Sequence, residues 1–417
     1  MAFFIDLAYG PEVRRFGFSR SPAMLTITEP RPSIDARIFR ERLERFLDGA
    51  GLDLRQPAIV VADKTRLCGY PLFLPVLVEA LIARGADPDC LTFYIAYGTH
   101  AQQDEAACRA AYGPMYDRFR WVQHRCDDLA GFVELGRTRR GTPVRLRADI
   151  LNASCRITFG AVSHHYFAGY GGGRKLIFPG LGERAAVYAN HGLFLDRARR
   201  RLAAGCRAGV LDGNPLAEDL AEIEAFRPAD MAVHGILDSR GQVCDLRVGR
   251  GADHFRKACE LHGAHCEVQS GQYDLVLASC GGFPRDINFI QSHKAIHNAA
   301  AFVREGGRLI VLAQCPDGIG SQTFLPWFEL GNWDAAFERL ADHYVGNGGT
   351  ALAMLDKLRR IRIGIVTELP AEMARTIGFE LLSPASAARA VQAHQGSVAV
   401  LPNAAVTVRK SDPAHVA

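Results

Sequence analysis

Short unbroken apolar runs alternate with amphipathic stretches along most of the chain. The run at 58–62 is continuously apolar, and further strands are read at 91–96, 155–162, 274–278, 308–313, 361–367 and 397–401. Such runs read as strands buried on both faces of a parallel sheet. Amphipathic helices are predicted between them. One spans 33–48, with Ile34, Ile38, Phe39, Leu43, Phe46 and Leu47 on a single face. Others fall near 71–84, 102–112, 183–195, 287–303, 333–343 and 350–358, and a further one ends near 262. Asn214 and Pro215 open a helix to about 226, as cap and first helical residue. Alternation at 2–28 suggests short antiparallel strands, and hairpins are expected at 132–146 and 231–248. The pattern predicts an α/β chain of two domains, each with a mostly parallel, Rossmann-like sheet. Residues 1–268 form the N-terminal domain, which binds cofactor and substrate, and 269–401 the C-terminal one. A tail of about 402–417 is free to pack back on the first domain, and the residues after 409 are read as disordered. The ligand site is expected in the cleft between the domains.

The candidate chemistry gathers at three predicted strand ends. Asp63, Thr65 and Arg66 follow the first, and Gly98-Thr99-His100 the second. The third delivers His164-His165-Tyr166-Phe167-Ala168-Gly169-Tyr170, then Gly171, Gly172, Gly173, Arg174 and Lys175. Ligands bind beyond the carboxyl ends of strands in open α/β sheets, so the convergence carries more weight than any one motif. Glycines let backbone approach a ligand closely, and their amides can cradle an anion. A phosphate-binding P-loop is excluded, because Arg174 separates Gly173 from the lysine and Leu176 replaces the magnesium-binding hydroxyl.

Composition narrows the partners. The 417 residues are 48% apolar and 23% charged, with a net charge of +4. That charge is too mild and too interleaved for nucleic acid. The 11 cysteines contain no C-x-x-C pair, which points to free thiols in a reducing compartment. No apolar stretch reaches the length of a membrane span, and the expectation is a cytoplasmic protein without membrane or nucleic-acid partners.

Histidines at strand ends suit proton transfer near neutral pH. His191, on the predicted helix 183–195, could ligate a metal, but one histidine makes no protein-only site. Arg66 could hold a carboxylate in two parallel hydrogen bonds. Gln291 and Lys294 sit one turn apart on a helix and share a face. Two other readings stay open on these residues: a zinc hydrolase or lyase using His164, His165 and His191, and a binding protein without catalysis.

As a set, these motifs resemble the nickel-pincer-nucleotide lactate racemase family. The matching residues are Asp63-x-Thr65-Arg66, Gly98-Thr99-His100, His165 through Gly169 into Gly172-Gly173-Arg174-Lys175, Pro179-Gly180, Asn190-His191, Gly213-Asn214-Pro215 and Gln291-x-x-Lys294. The resemblance implies a nickel(II) pyridinium-3-thioamide-5-thiocarboxylic acid mononucleotide, covalently held on Lys175, with His191 as the metal's protein ligand. It implies that Asp63, Thr65, Gly171, Gly172 and Gly173 help seat that cofactor. His100 and His165 would serve as the two acid/bases, while Arg66, Gln291 and Lys294 bind a 2-hydroxy acid. The implied reaction is racemisation or epimerisation at C2 through a 2-oxo acid. Pincer-synthesis proteins would be the maturation partners. Tyr170-Gly171 departs from the Phe-Ser expected in the glycine loop. Ile290 stands where the family pattern carries tyrosine, which leaves the side chain of the acid open.

Overall fold

Pro57–Ala62 is buried at all six positions, and Cys155–Ala161 at all but its last. These two strands pair in parallel and form the centre of a six-stranded sheet. The computed structural model describes residues 3–410 and is α/β, as the apolar runs predict. It contains two such sheets, in two compact units.

One unit takes residues 29–194 and 205–265. Its sheet runs in the order Val243–Gly249, Met231–Leu237, Cys155–Ala161, Pro57–Ala62, Thr92–Ala96, Arg120–Gln123. Only the first pair is antiparallel. Successive strands step from Pro57–Ala62 toward one edge, then resume on its other side with Cys155–Ala161. That reversal is a topological switch point, where loops part and leave room for a ligand. Two tyrosines finish the sheet there. The Tyr70 hydroxyl accepts from the Ala62 amide and donates to the Phe159 carbonyl, both at 2.9 Å. Tyr112 donates to the Ala62 carbonyl at 3.0 Å. Both rings are fully buried, so the last backbone groups of the strand are satisfied without water. The last helix of this unit, Gly251–Cys266, runs one residue past its boundary.

The other unit takes described residues 3–28, 195–204 and 266–410. Its sheet order is Glu380–Leu381, Arg362–Val366, Val303–Leu312, Tyr273–Ser279, Val398–Leu401, Ala23–Met24, all parallel. Phe3–Tyr9 and Glu12–Phe18 form the antiparallel hairpin expected from their alternation. Its Leu7, Tyr9, Phe16 and Phe18 enter one core with Leu275, Leu277, Ile310 and Val400. The chain's start therefore clusters with its C-terminal part, where the sequence pattern had suggested one division near 268. Alternation reports that a face is buried, not which distant element covers it. Of the short antiparallel strands expected across 2–28, the last is reduced to Ala23–Met24 and pairs in parallel with Val398–Leu401 instead. Val408–Arg409 pairs with Glu267–Val268, and residues 411–417, read as disordered, lie outside the described residues.

Candidate active site

Asp63 ends the central strand and is 3% exposed. Its Oδ1 accepts from the Thr65 amide at 2.8 Å and the Thr65 hydroxyl at 2.5 Å. Its Oδ2 accepts from His100 Nδ1 at 2.8 Å, and Arg66 Nη1 lies 3.5 Å away. Burial alone would raise this carboxyl's pKa. The His100 hydrogen bond and the Arg66 charge overcome it and hold the group well below the usual range. A carboxylate can only accept, so His100 carries its ring proton on Nδ1 and presents Nε2 as a base. Gly98, with φ +57, turns the chain into this histidine, and its amide donates to the Gly180 carbonyl at 2.8 Å.

The third strand end folds into a small hairpin, Ser163–His165 against Gly169–Gly171. Here the Phe167 and Ala168 amides both donate to His165 Nδ1, at 3.2 and 3.0 Å. Neutral His165 therefore carries its proton on Nε2. The connection is held from outside by Asn214, whose Nδ2 donates to the Phe167 and Val210 carbonyls at 2.8 and 3.0 Å. The same residue caps the helix Pro215–Phe226 through the Ala217 amide. His164 turns to different company: its ring lies 4.8 Å from those of Tyr170 and His262. His165 instead stacks on Tyr166.

Beyond the hairpin, Gly172 has φ +81, and a Cβ there would stand 2.2 Å from the Ala161 carbonyl oxygen. Only glycine fits. Gly173 packs on Phe255 and His234, and Arg174 lies over the Phe255 ring at 5.2 Å. The turn Gly173–Leu176 then carries Lys175. Burial, with the charges of Arg66 and Arg174, pulls the Lys175 amine down to about 7. His191, on Arg184–His191, donates from Nδ1 to the Val187 carbonyl at 2.8 Å. Nε2 is thus the nitrogen that would meet a metal. Burial, then the Lys175 and His100 charges, lower its imidazole to about 4, so it is neutral at physiological pH. These mutual effects mark Arg66, His100, Lys175 and His191 as one electrostatic neighbourhood.

Residues 38–203 match the lactate racemase N-terminal domain, and residues 268–342 the lactate racemase C-terminal domain. The chain belongs to the lactate racemase family. It is 26% identical over 343 residues to a lactate racemase of Thermoanaerobacterium thermosaccharolyticum, covering 78% of each chain. It is also 26% identical over 297 residues to one from Lactiplantibacillus plantarum, covering 70% of this chain and 67% of that one. The lactate racemase apoprotein structure from T. thermosaccharolyticum superposes with a TM-score of 0.84 at 22% identity, over 98% of this chain and 100% of that one. A Thermotoga maritima protein gives 0.66 at 15% identity, over 90% and 98%.

The N-terminal match to the lactate racemase family contains every candidate from Asp63 to His191, and the C-terminal match contains Gln291 and Lys294. That last pair lies in the other unit, on Phe289–Ala300, where Lys294 Nζ donates to Gln291 Oε1 at 2.9 Å. Asn288 caps the helix through the Gln291 amide. Sequence reasoning missed Gln103, which accepts from the Lys64 amide at 2.9 Å and steadies the Asp63 turn. It missed Asp219, which accepts from Asn190 at 2.9 Å inside the protein and fixes the helix end carrying His191. An aspartate in mid-helix on a buried face was the one available signal. No described helix is long and apolar enough to cross a membrane.

Proposed function

We propose that this chain is a 2-hydroxyacid racemase or epimerase working with a nickel-pincer nucleotide on Lys175. The observation that carries the reading is the pairing of Lys175 and His191. A largely buried amine near neutrality can be acylated or thioacylated without first losing a tightly held proton. Beside it, the neutral His191 imidazole would offer one nitrogen to the nickel. The Gly172 turn leaves no side chain between backbone and cofactor, and this donor set suits a group that brings most of its own ligands.

Held by Lys175 and His191, that cofactor would supply a hydride acceptor for the C2 hydrogen. The protein's part is proton handling and orientation. His100 Nε2 removes the substrate's hydroxyl proton, and Asp63 stabilises the imidazolium that results. Arg66 meets the carboxylate with its planar fork. His165 Nε2–H stands as a donor to the substrate oxygen on the opposite side, so the planar 2-oxo acid can be served from either face. Lys294 would join Arg66 at the carboxylate, with Gln291 as a polar neighbour, and their resemblance to the family pattern supports this role. The acid's side chain is open, since Ile290 replaces the patterned tyrosine. Partners are the small 2-hydroxy acid and the proteins that make the pincer.

The test uses protein co-expressed with pincer-synthesis proteins. Single enantiomers of a panel of 2-hydroxy acids are incubated in deuterated water and resolved by chiral chromatography. Inversion without deuterium at C2 is expected, because hydride is kept rather than exchanged. Retention across the panel, or deuterium at C2, overturns the reading. Lys175→Ala should lose the covalent adduct on intact mass, together with all turnover.

A further inference from the structure

Among the described residues, one group of three side chains offers soft and borderline metal donors in close array. His164, His262 and Cys266 each bring one donor atom to within 4.8 Å of the others. His262 and Cys266 are one turn apart on Gly251–Cys266, so they leave the helix on one face. Their placement relative to each other is set by that single element. His164 comes from Ser163–His165, opposite Tyr170 across the hairpin. Successive strand residues point to opposite faces, which turns His164 away from the side His165 takes. The ring of His164 lies 4.8 Å from that of His262, and Tyr170 closes the third side. His262 is 8% exposed and Cys266 4%.

We propose that His164, His262 and Cys266 bind Zn²⁺, clamping the hairpin that carries His165 to the end of the helix. Two imidazoles and a thiolate suit zinc, and the absence of carboxylates from the set disfavours magnesium and calcium. Three protein donors leave the fourth tetrahedral position to water. Donors in such a site stand ~3.3–3.8 Å apart, so the widest separation must close by about 1 Å, within reach of small χ rotations. Cys266 releases its thiol proton to solvent and binds as thiolate, so metal and proton exchange one for one.

The test takes the full-length chain, stripped with chelator and returned to Zn²⁺ by equilibrium dialysis. About one zinc per chain is expected at His164, His262 and Cys266. Co²⁺ in its place should give tetrahedral d–d bands and a thiolate-to-cobalt charge-transfer band. Cys266→Ser should abolish the charge-transfer band, and His262→Gln should weaken zinc binding at least about 10-fold. A band that survives Cys266→Ser, or zinc held equally by wild type and both variants, overturns the proposal. If circular dichroism shows that the variants do not fold, the wild type still decides. Zinc must then slow alkylation of the Cys266 peptide, read by mass spectrometry, and equal rates with and without zinc overturn the site.

Discussion

The turn after Pro57–Ala62 and the hairpin after Cys155–Ala161 each deliver a histidine, and they prepare it in opposite ways. At the turn, a buried carboxylate accepts from His100 Nδ1 and commits Nε2 to receiving a proton. In the hairpin, two backbone amides donate to His165 Nδ1 and leave Nε2–H as a hydrogen-bond donor. One histidine holds its ring proton on Nδ1 against Asp63. The other is supported only as a neutral ring, because its backbone donors oppose a second proton on Nδ1. The proposed reaction would use a base and a hydrogen-bond donor, one on each face of a planar intermediate. The two strand ends divide them before substrate arrives.

The largest expected effect breaks the first half of this division. His100→Gln removes the ring nitrogen proposed as base, and kcat should fall about 10³-fold. Asp63→Asn comes next. It leaves the ring in place but frees it to flip its tautomer, and a loss of about 10²-fold with a displaced pH–rate profile is expected. An unchanged profile would mean that Asp63 merely packs. His165→Gln sharpens the other half. Its side-chain amide keeps an N–H donor, so a loss of only ~10-fold is expected, against about 10²-fold for His165→Ala. Equal losses for Gln and Ala would show that His165 takes protons as His100 does.

Smaller effects test the supports. Asn214→Ala removes a helix cap and two hydrogen bonds to the hairpin's flank. A destabilisation of roughly 2–4 kcal/mol is expected by denaturant titration, with His165-dependent steps more affected than His100-dependent ones. The pH dependence of stability is smaller still. Between about 4 and 6.5, His191 is neutral when folded and protonated when unfolded. The unfolded chain then binds more protons, so stability rises with pH across that window. Asp63 acts in the same sense at lower pH: its stabilisation is present above the unfolded carboxyl's pKa and lost on acidification. The apoprotein should melt roughly 5 °C higher at pH 7 than at pH 5, and a flat melting curve would contradict the burial of His191.

Much of this arrangement is legible in the residues. Pro57–Ala62 carries no polar side chain, and the strand ends carry Asp63, His100 and His165 in plain sight. Asn214 before Pro215 announces a helix start, and the structure confirms the cap. Other features depend on contacts that no local pattern encodes. Tyr70 and Tyr112 look like ordinary core tyrosines, yet their hydroxyls complete the end of Pro57–Ala62. Leu7 and Phe16 show that a face is buried without revealing that Leu275 and Ile310 bury it. Asp63 reads as one more cofactor neighbour until its distance to His100 is measured. The tautomer of His165 follows from two amides just downstream, whose direction depends on how the hairpin turns.

The proximity of Lys175 and His191 has a consequence for the order in which the holoenzyme assembles. Part of what depresses the His191 imidazole is the positive charge on Lys175. Converting that amine to an amide or thioamide removes the charge for good. The neighbouring nitrogen then becomes a richer electron-pair donor at the moment its partner arrives. On the proposed reading, tethering the carrier at Lys175 would ready His191 in the same event, and a chain that captured free nickel first would do so with its weaker hand.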